Sequence, residues 1–231
     1  MGTVDIKRFL SQGMQLLGLN LDNGGEAVDR LVLYFHELKK WNCKVNLVGR
    51  ALRDEQILEN HFLDSLTLLP LLSPENQQQE TLLDVGAGAG FPGLVVKTVR
   101  QELPVVLLEP RRNRYYFLKH IIRTLALEEV EVLDVRLERK SNPIELSGRR
   151  FSFVTSRAFT DMQEFVSLAA PYLARGGRIV CMKGPGAAEE IRDFAWQASQ
   201  NFYVTETVSL QLPFSGAVRN LVVIRKSWPG A

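Results

Sequence analysis

The sequence predicts an α/β protein in which a mostly parallel sheet follows a helical N-terminal segment. Residues 4 to about 72 carry apolar side chains at helical spacing. From residue 81 onwards, short apolar runs alternate with helical patterns, which is typical of a parallel sheet covered on both faces. The last two apolar runs, 202–210 and 217–224, have no helix between them and predict a closing β-hairpin.

The composition is that of an ordinary globular protein and limits the kinds of partner. The 231 residues suffice for one α/β domain and an extension, and a net charge of only +2 means that any nucleic-acid surface must be a local patch. Cys43 and Cys181 are far apart, which predicts no disulfide and fits a reducing cytoplasm. Without an apolar run of membrane-spanning length or a signal-peptide core, we expect a cytoplasmic protein with no membrane partner.

The helical segment, which we place at residues 1–73, is expected to form a cap. An apolar stripe at 28–38 predicts an amphipathic helix, and we interpret Trp41, which follows it, as an anchor in the core. His61 and Asp64 stand three residues apart, shortly before a glycine-rich turn. They are either a local polar pair on a helix or part of a site lining, and the sequence leaves both interpretations open.

The segment 73–80, rich in proline, asparagine and glutamine, predicts the junction to a second domain at 80–226. Before the junction, helical patterns through 57–58 and from residue 61 predict two separate helices. After it, we expect seven strands, five of them parallel and two in the hairpin. The five parallel strands are 81–85, 105–109, 130–133, 151–156 and 178–182, with helices at 111–125, 161–173 and 187–199.

The stretch 81–93, T-L-L-D-V-G-A-G-A-G-F-P-G, organises the second domain. It predicts a strand, a tight turn and a helix, and a turn of this kind before a helix N-terminus holds nucleotide-like ligands. Gly88, Gly90 and Gly93 match G-x-G-x-x-G, the fingerprint of dinucleotide-binding proteins. This first motif favours a nicotinamide-dependent oxidoreductase.

A second spelling of the same stretch, G-x-G-x-G, begins at Gly86 and follows Asp84 by two residues. It looks like motif I of the class I S-adenosylmethionine methyltransferases, where an acid can reach the cationic methionine end of the cofactor directly or through water. A pyrophosphate would gain nothing from this acid. The closing hairpin also favours a methyltransferase, so we expect S-adenosylmethionine as the cofactor and keep the oxidoreductase as the alternative.

Six blocks of sequence, in order, resemble the glucose-inhibited division protein B family, the small-subunit ribosomal RNA methyltransferases G. The blocks are K-W-N-C-K-V-N-L, H-F-L-D-S-L, L-D-V-G-A-G-A-G-F-P-G, S-R-A-F, M-K-G and R-N-L-V-V-I. The resemblance covers about residues 10–226 and implies a Rossmann-like class I methyltransferase fold. It also implies that the partner is 16S rRNA or a precursor of the small ribosomal subunit, methylated at N7 of a guanosine in the 530 loop. A methyltransferase acting on another RNA is the closest alternative.

The resemblance and the glycine turn together give a set of cofactor-binding residues. Glu109, at the end of the second strand, is where this fold class places an acid on the ribose hydroxyls. Many family members have Asp-Ser where this chain has Glu109-Pro110, but a glutamate can still accept both hydroxyl protons. The predicted cofactor-binding residues are Asp84, Gly86, Gly88, Gly90, Phe91, Glu109, Leu137, Glu138 and Arg157.

Three basic residues, Lys183, Arg219 and Arg111, are the candidates for RNA contact. The family's basic site residues match at the first two, which lie at sheet ends that this fold turns towards its substrate. Arg111 precedes a basic helix whose aromatic residues, 115–117, we expect in the core rather than stacked on bases. The alternative for Lys183 is a structural pair with a buried carboxylate such as Asp84.

The implied chemistry needs no catalytic base. Guanine N7 has a free lone pair at neutral pH, so methyl transfer is an in-line displacement that depends chiefly on alignment. The sequence shows neither a catalytic triad nor a metal-binding cluster. We therefore predict no catalytic acid–base residue and no metal.

Overall fold

A computed structural model describes residues 5–20, 24–72, 80–139, 143–157, 161–197 and 201–228. The predicted junction at 73–80 lies outside these residues except for Glu80, and so do the last two residues of the S-R-A-F block. The division into a cap and a second domain therefore remains a prediction. Within the described ranges, no helix is both long and apolar enough to cross a membrane.

The described part of the cap begins with two helices. Helix α1 (Ile6–Leu16) starts at Asp5, whose side chain accepts a hydrogen bond from the amide of Arg8 at 3.0 Å and so satisfies a free helical donor. Helix α2 (Gly24–Asn42) ends at an asparagine whose Oδ1 accepts two amides of the following turn, at 2.9 and 3.0 Å. The asparagine therefore stabilises the turn that ends the helix.

The two separate helices predicted next are one continuous stretch, so that prediction is wrong. Helix α3 (Asp54–Ile57) runs directly into a π-helix (Leu58–Leu63) and then into α4 (Asp64–Leu66). No glycine or proline interrupts 54–66, so nothing in the sequence ends the helix. The π-helix widens the stretch by one residue per turn, a feature that is frequent at functional sites.

Seven strands form a single sheet. They are β1 (Leu82–Val85), β2 (Val105–Leu108), β3 (Val130–Leu133), β4 (Phe151–Ser156), β5 (Leu173–Lys183), β6 (Phe202–Gln211) and β7 (Val218–Lys226). Their order is β3-β2-β1-β4-β5-β7-β6; β1 to β5 pair in parallel, and β7 runs antiparallel to β5 and β6. The predicted mostly parallel sheet with a closing hairpin is confirmed.

Among the residues that the structure describes, four α-helices connect the strands. They are α5 (Gly93–Val99), α6 (Arg112–Thr124), α7 (Met162–Ala169) and α8 (Ala187–Gln197). Helix α7 stops four residues before the predicted end, because the following 3₁₀ turn (Ala170–Tyr172) contains a proline that cannot continue an α-helix. Strand β5 accordingly begins at Leu173 rather than 178, and it passes through Gly176 with a φ of +78°.

Two hydrophobic clusters cover the two faces of the sheet. The cap and helices α5 and α6 pack on one face, around residues such as Leu82 and Leu107. Helices α7 and α8 pack on the other face, around Leu83 and Leu108, as the alternation of a strand requires. The core under the cap is thus shared with the sheet, and the cap covers the face on which the turn between β1 and α5 lies.

The aromatic residues expected in the core divide between core and surface. Trp41 is half-buried against the cluster under the cap, with its ring centroid 5.6 Å from that of Phe117. Phe117 is fully buried, but Tyr116 is 48% exposed. The expectation of a core position therefore fails for Tyr116, which points away from the face of α6 that packs on the sheet.

Candidate cofactor and RNA-binding site

The turn after β1 is held in place by the neighbouring strand. The amides of Gly86 and Ala87 both donate to the carbonyl oxygen of Leu108 at 2.9 Å. Gly86, Gly88 and Gly90 have positive φ angles of 76°, 61° and 89°. Only glycine adopts this left-handed backbone readily, so the shape of the turn requires the three glycines.

The glycines of the turn face two different environments. A β-carbon added to Gly86 would meet no atom within 4 Å, and one added to Gly88 would make only an ordinary contact at 3.7 Å. A β-carbon added to Gly90 would collide with the hydroxyl oxygen of Tyr34. Gly86 and Gly88 therefore border open space, whereas Gly90, predicted as a cofactor contact, is needed for packing against the cap.

Asp84 lies beneath the turn and holds it against the start of α5. Its Oδ2 accepts a hydrogen bond from the amide of Gly93 at 2.8 Å, and burial of the whole side chain raises its pKa to about 7. Its Oδ1 is also buried and has no hydrogen-bond partner among the described residues. The predicted approach of Asp84 to the cofactor, directly or through water, stays a prediction, and in the structure its carboxylate is fully buried beneath the turn.

A cleft of about 430 Å³ opens where β1, β2 and the segment after β3 end. Gly86, Glu109, Leu137 and Glu138 line it, so predicted cofactor residues from three separate segments meet at one place. Its volume is within the range of about 300–1,000 Å³ that is usual for small-ligand sites. The cleft and the open space beside the first two glycines of the turn fit the adenosine part of S-adenosylmethionine.

Two backbone amides fix the carboxylate of Glu109 at this cleft. Its Oε2 accepts from Gly88 at 2.8 Å and its Oε1 accepts from Arg111 at 2.7 Å. Each carboxylate oxygen can accept a further hydrogen bond, so the group keeps capacity for hydroxyl donors of a ribose. Arg111, predicted to contact RNA, also lines this cleft, so the structure places it together with Glu109, a residue predicted to bind the cofactor.

Phe91, the residue after the glycines, is covered by two side chains. The guanidinium carbon of Arg157 lies 5.0 Å from the centre of its ring, and the ring of His61 stacks on it with centroids 5.0 Å apart. A nitrogen of Arg157 is 3.0 Å from Nδ1 of His61, which must accept because the guanidinium only donates. Burial, reinforced by Arg157, lowers the pKa of His61 to about 3, so the ring is neutral at physiological pH.

Asp64 contacts two arginines, Arg219 and the Arg157 that covers Phe91. Its Oδ1 accepts from Nε of Arg219 at 3.0 Å, and its Oδ2 lies 3.6 Å from Nη1 of Arg157. Burial raises the pKa of Asp64, while the two guanidinium groups favour its charged form. His61 and Asp64 thus contact arginines of the sheet, so they are more than a local polar pair on a helix.

Asn60, which lies in the π-helix, contacts the same two arginines. The carbonyl oxygen of Asn60 accepts from Arg157 at 3.0 Å, and its side-chain oxygen lies 3.4 Å from Arg219. One widened helical turn therefore holds both arginines at the carboxyl end of the sheet. Neither Asn60 nor the π-helix could be recognised from the sequence, because no apolar periodicity marks a π turn.

Lys183 ends β5 and is only 8% exposed. Its Nζ lies 2.6 Å from Oε2 of Glu190 on α8. The structural alternative proposed for Lys183 thus has a carboxylate partner, but this partner is Glu190 rather than Asp84. In the sheet Lys183 pairs with Asn220, so its side chain lies on the face covered by α8, whereas the neighbouring Arg219, the other residue predicted to contact RNA, points to the face covered by the cap.

Two further residues of the cap, neither of them singled out in the sequence, support the site. The hydroxyl of Tyr34 donates to the carbonyl oxygen of Ala89 at 2.6 Å and so fixes the middle of the glycine turn. Oε1 of Glu59 accepts the amides of Phe214 and Ser215 at 2.7 and 2.8 Å, which ties the π-helix to the turn between β6 and β7. No signal in the sequence distinguishes Glu59 from the other polar residues of 54–66.

The strand order, the glycine turn after β1 and the acid after β2 define the chain as a class I S-adenosylmethionine-dependent methyltransferase. A solved structure with a similar fold is an S-adenosylmethionine-dependent methyltransferase from Thiobacillus denitrificans in complex with S-adenosylhomocysteine. The likeness has a TM-score of 0.52 at 10% identity and covers 82% of this chain and 98% of that chain. At this identity the likeness concerns the fold.

Sequence comparison narrows the class to one family. Residues 27–222 match the family model described as rRNA small subunit methyltransferase G. The ribosomal RNA small subunit methyltransferase G of Desulfotalea psychrophila is 44% identical over 96% of this chain and 99% of its own length. The protein of the same name from Syntrophotalea carbinolica is 35% identical over 96% and 98%. The chain belongs to this family of S-adenosylmethionine-dependent rRNA methyltransferases.

Proposed function

We propose that the chain transfers a methyl group from S-adenosylmethionine to N7 of a guanosine in the 530 loop of 16S rRNA. The substrate is the rRNA itself or a precursor of the small subunit, and the reaction takes place in the cytoplasm, where this RNA is found. The observation that carries the proposal is the set of groups around Phe91. Among the described residues there, neither His61 nor Asp64 is suited to remove a proton, and N7 of guanine is a nucleophile that needs no proton removed.

The groups near Phe91 fail as bases for separate reasons. The pKa of His61 is about 3, far too low for useful proton transfer near neutral pH. Asp64 has a side chain only 5% exposed, and it is engaged by Arg219 and Arg157. A ring nitrogen with a free lone pair is the substrate atom that this set of side chains fits.

We infer the adenosine contacts from the lining of the cleft. Glu109 accepts the two ribose hydroxyls, since its carboxylate is fixed at the cleft by two amides. Gly86 and Gly88 allow the cofactor to approach the backbone, because a β-carbon at Gly86 would meet no atom within 4 Å and one at Gly88 would make only ordinary contacts, the nearest with the Arg114 side chain at 3.7 Å. Leu137 and Glu138 border the opposite wall of the cleft.

The methionine end of the cofactor is assigned to Phe91 and Arg157. When bound, S-adenosylmethionine supplies an electrophilic methyl group on a sulfonium sulfur. The Arg157 guanidinium, held by Asn60 and Asp64, is placed to bind a carboxylate in a fixed orientation. Fixing this end of the molecule aligns the reacting atoms, which is the main source of rate for a displacement without a base.

RNA contacts are assigned to Lys183, Arg219 and Arg111. Support for the first two is that both lie where β5 ends and β7 begins, Lys183 on the face of α8 and Arg219 on the face of the cap, where it shares Asp64 with the arginine that we assign to the cofactor. Arg111 lies at the mouth of the cofactor cleft, where a backbone phosphate flanking the target base would pass. Phosphate contacts of this kind give affinity and register rather than sequence specificity.

The proposal is tested by mapping N7-methylguanosine in 16S rRNA from cells that lack the gene. We expect loss of one methylated guanosine in the 530 loop and its return on expression of the wild-type chain. Expression of Gly88→Val should not restore it, because the valine side chain fills the space beside the turn. If the modification persists in the deletion strain, the proposed target is wrong.

A further inference from the structure

A second, larger depression lies along the exposed side of α6, and the function proposed above does not use it. Its volume is about 890 Å³, and none of its lining residues lines the cofactor cleft. We call it the α6 groove; its principal walls are Trp41, Asn113, Tyr116, Lys119, His120 and Arg123. Both the groove and the cofactor cleft are lined by residues of α6, and the groove follows this helix away from the cleft.

The groove side chains form a stripe on α6. Asn113, Tyr116, Lys119 and Arg123 are separated by three, three and four residues, the spacing of one helical face. The opposite face of the helix, represented by Phe117, is buried against the sheet. The stripe extends for about 15 Å at the usual rise of an α-helix, long enough to follow a short strand rather than a single small ligand.

Aromatic surface lies along this stripe. Tyr116 is 48% exposed, and the guanidinium carbon of Arg112 is 5.6 Å from the centre of its ring. Trp41 forms the facing wall, with its ring centroid 5.2 Å from that of His120. An exposed aromatic ring beside a guanidinium is a surface on which an unpaired base stacks.

The groove carries two exposed cations, Lys119 and Arg123, and one exposed acid, Glu128. Lys119 and Arg123 are both exposed, and neither has an ion-pair partner among the described residues. The carboxylate of Glu37, a buried residue, is already paired with His120 at 2.7 Å and with Lys40 at 2.5 Å. Two cations without ion-pair partners, beside aromatic surface and outnumbering the one acid, are complementary to the phosphates of a nucleic acid strand.

We propose that the α6 groove binds an unpaired segment of the rRNA substrate that lies outside the target loop. The inference rests on the rRNA substrate proposed above and adds a second contact region to it. Bases stack on Tyr116 and Trp41, and phosphates pair with Lys119 and Arg123. A site away from the reacting base lets the enzyme recognise the surrounding RNA and not only the loop.

The test compares the affinity of variants for a 16S rRNA fragment that carries the 530 loop and its flanking segments, at two salt concentrations. Lys119→Gln/Arg123→Gln should lower the slope of log affinity against log salt by about 1.4, two contacts at about 0.7 each on single-stranded RNA. Tyr116→Ala should weaken binding about tenfold with little change in slope, because stacking does not release counterions. Cofactor affinity and Tm should stay at wild-type values in each.

The matched control is Arg175→Gln/Arg192→Gln, which removes the same charge at the start of β5 and on α8, on the opposite face of the sheet. It should change RNA affinity by less than about twofold. If the groove variants bind the fragment like this control, the proposal is wrong. It is also wrong if they lose affinity only for protein-containing small-subunit particles, since the groove then holds a ribosomal protein. Methylation of the fragment by the wild type is measured separately, so a wrong target site would not be mistaken for a wrong groove.

Discussion

Oδ1 of Asp64 accepts a hydrogen bond from Nε of Arg219 at 3.0 Å, across 155 residues of chain. The bond joins the helical cap to the last hairpin, and the second oxygen of the same carboxylate lies 3.6 Å from Arg157 of β4's end. One acid of the cap thus sets the positions of two arginines on the sheet. The cap is therefore part of the site, and not only a cover for the core.

Removing the charge of Asp64 should destabilise the protein strongly. Asp64→Asn leaves Arg157 and Arg219 without their shared counter-charge in a largely buried place. We expect a loss of about 3 kcal/mol in the free energy of unfolding, measured by denaturant titration. Asp54→Asn is the control, since its pair with Lys39 is about 40% exposed and should contribute less than ~1 kcal/mol. Equal losses of stability in the two variants would contradict the role of Asp64 as the shared counter-charge of the two arginines.

The glycines of the turn should separate into two functional groups. Gly88→Val should abolish S-adenosylmethionine binding in calorimetry, because its side chain enters the open space beside the cleft. Gly90→Ala should chiefly lower Tm, since its β-carbon collides with Tyr34. Gly148→Val controls for backbone strain alone, because Gly148 has a φ of +73° with no atom near its β-position. Cofactor affinity unchanged in Gly88→Val would remove the turn from the site.

Asp84 should make stability depend on pH. Its pKa is about 7 in the folded chain against about 3.9 in an unfolded one, so the folded state binds more protons between these values. Stability contributed by the protonated form is therefore lost as pH rises from about 4 to 7, at most about 1.4 kcal/mol per pH unit. Asp84→Asn should remove this decline.

Denaturation at pH 5, 6, 7 and 8 checks the role of Asp84. The stability of Asp84→Asn relative to wild type should rise with pH up to about 7 and then level off. Asp134→Asn, a change at an exposed carboxylate, is the control and should show no such trend. A difference between Asp84→Asn and wild type that does not vary with pH would mean that the carboxyl is ionised throughout.

The fold was predictable because its signals are local. Alternating apolar runs, the glycine turn and the missing helix before β7 each depend on a few neighbouring residues. The same holds for Glu109, which a strand end places at the cleft. The end of α7, four residues before the predicted one, also has a local signal, because Pro171 cannot continue the helix.

The cluster around Phe91 was only partly predictable, because it depends on contacts between distant segments. Arg157 was identified through family resemblance, but its partners Asn60 and Asp64 come from the cap, nearly a hundred residues earlier. The burial of Asp84 beneath the turn could not be inferred either, since a strand end is usually partly solvated. Packing of the cap on the sheet decides both.

Removal of the Lys183 side chain and removal of its partner carboxylate should have opposite effects on RNA binding. Lys183→Ala is expected to weaken RNA binding and reduce the salt slope by somewhat under one unit, with cofactor affinity within about twofold of wild type. Glu190→Gln removes a carboxylate 2.6 Å from Nζ and should strengthen RNA binding. If Lys183→Ala lowers Tm while RNA affinity and its salt dependence stay unchanged, Lys183 is structural.

Methyl transfer by the purified chain tests the central claim most directly. The protein is incubated with S-adenosylmethionine carrying a tritiated methyl group and with 16S rRNA, free or in small-subunit particles, from cells lacking the gene. We expect the incorporation of about one methyl group per rRNA. Borohydride and aniline treatment, which cleaves RNA at N7-methylguanosine, should then cleave the rRNA at a guanosine of the 530 loop. The Gly88→Val variant should give neither result. Methyl incorporation without this cleavage, or cleavage elsewhere in the rRNA, would contradict the claim.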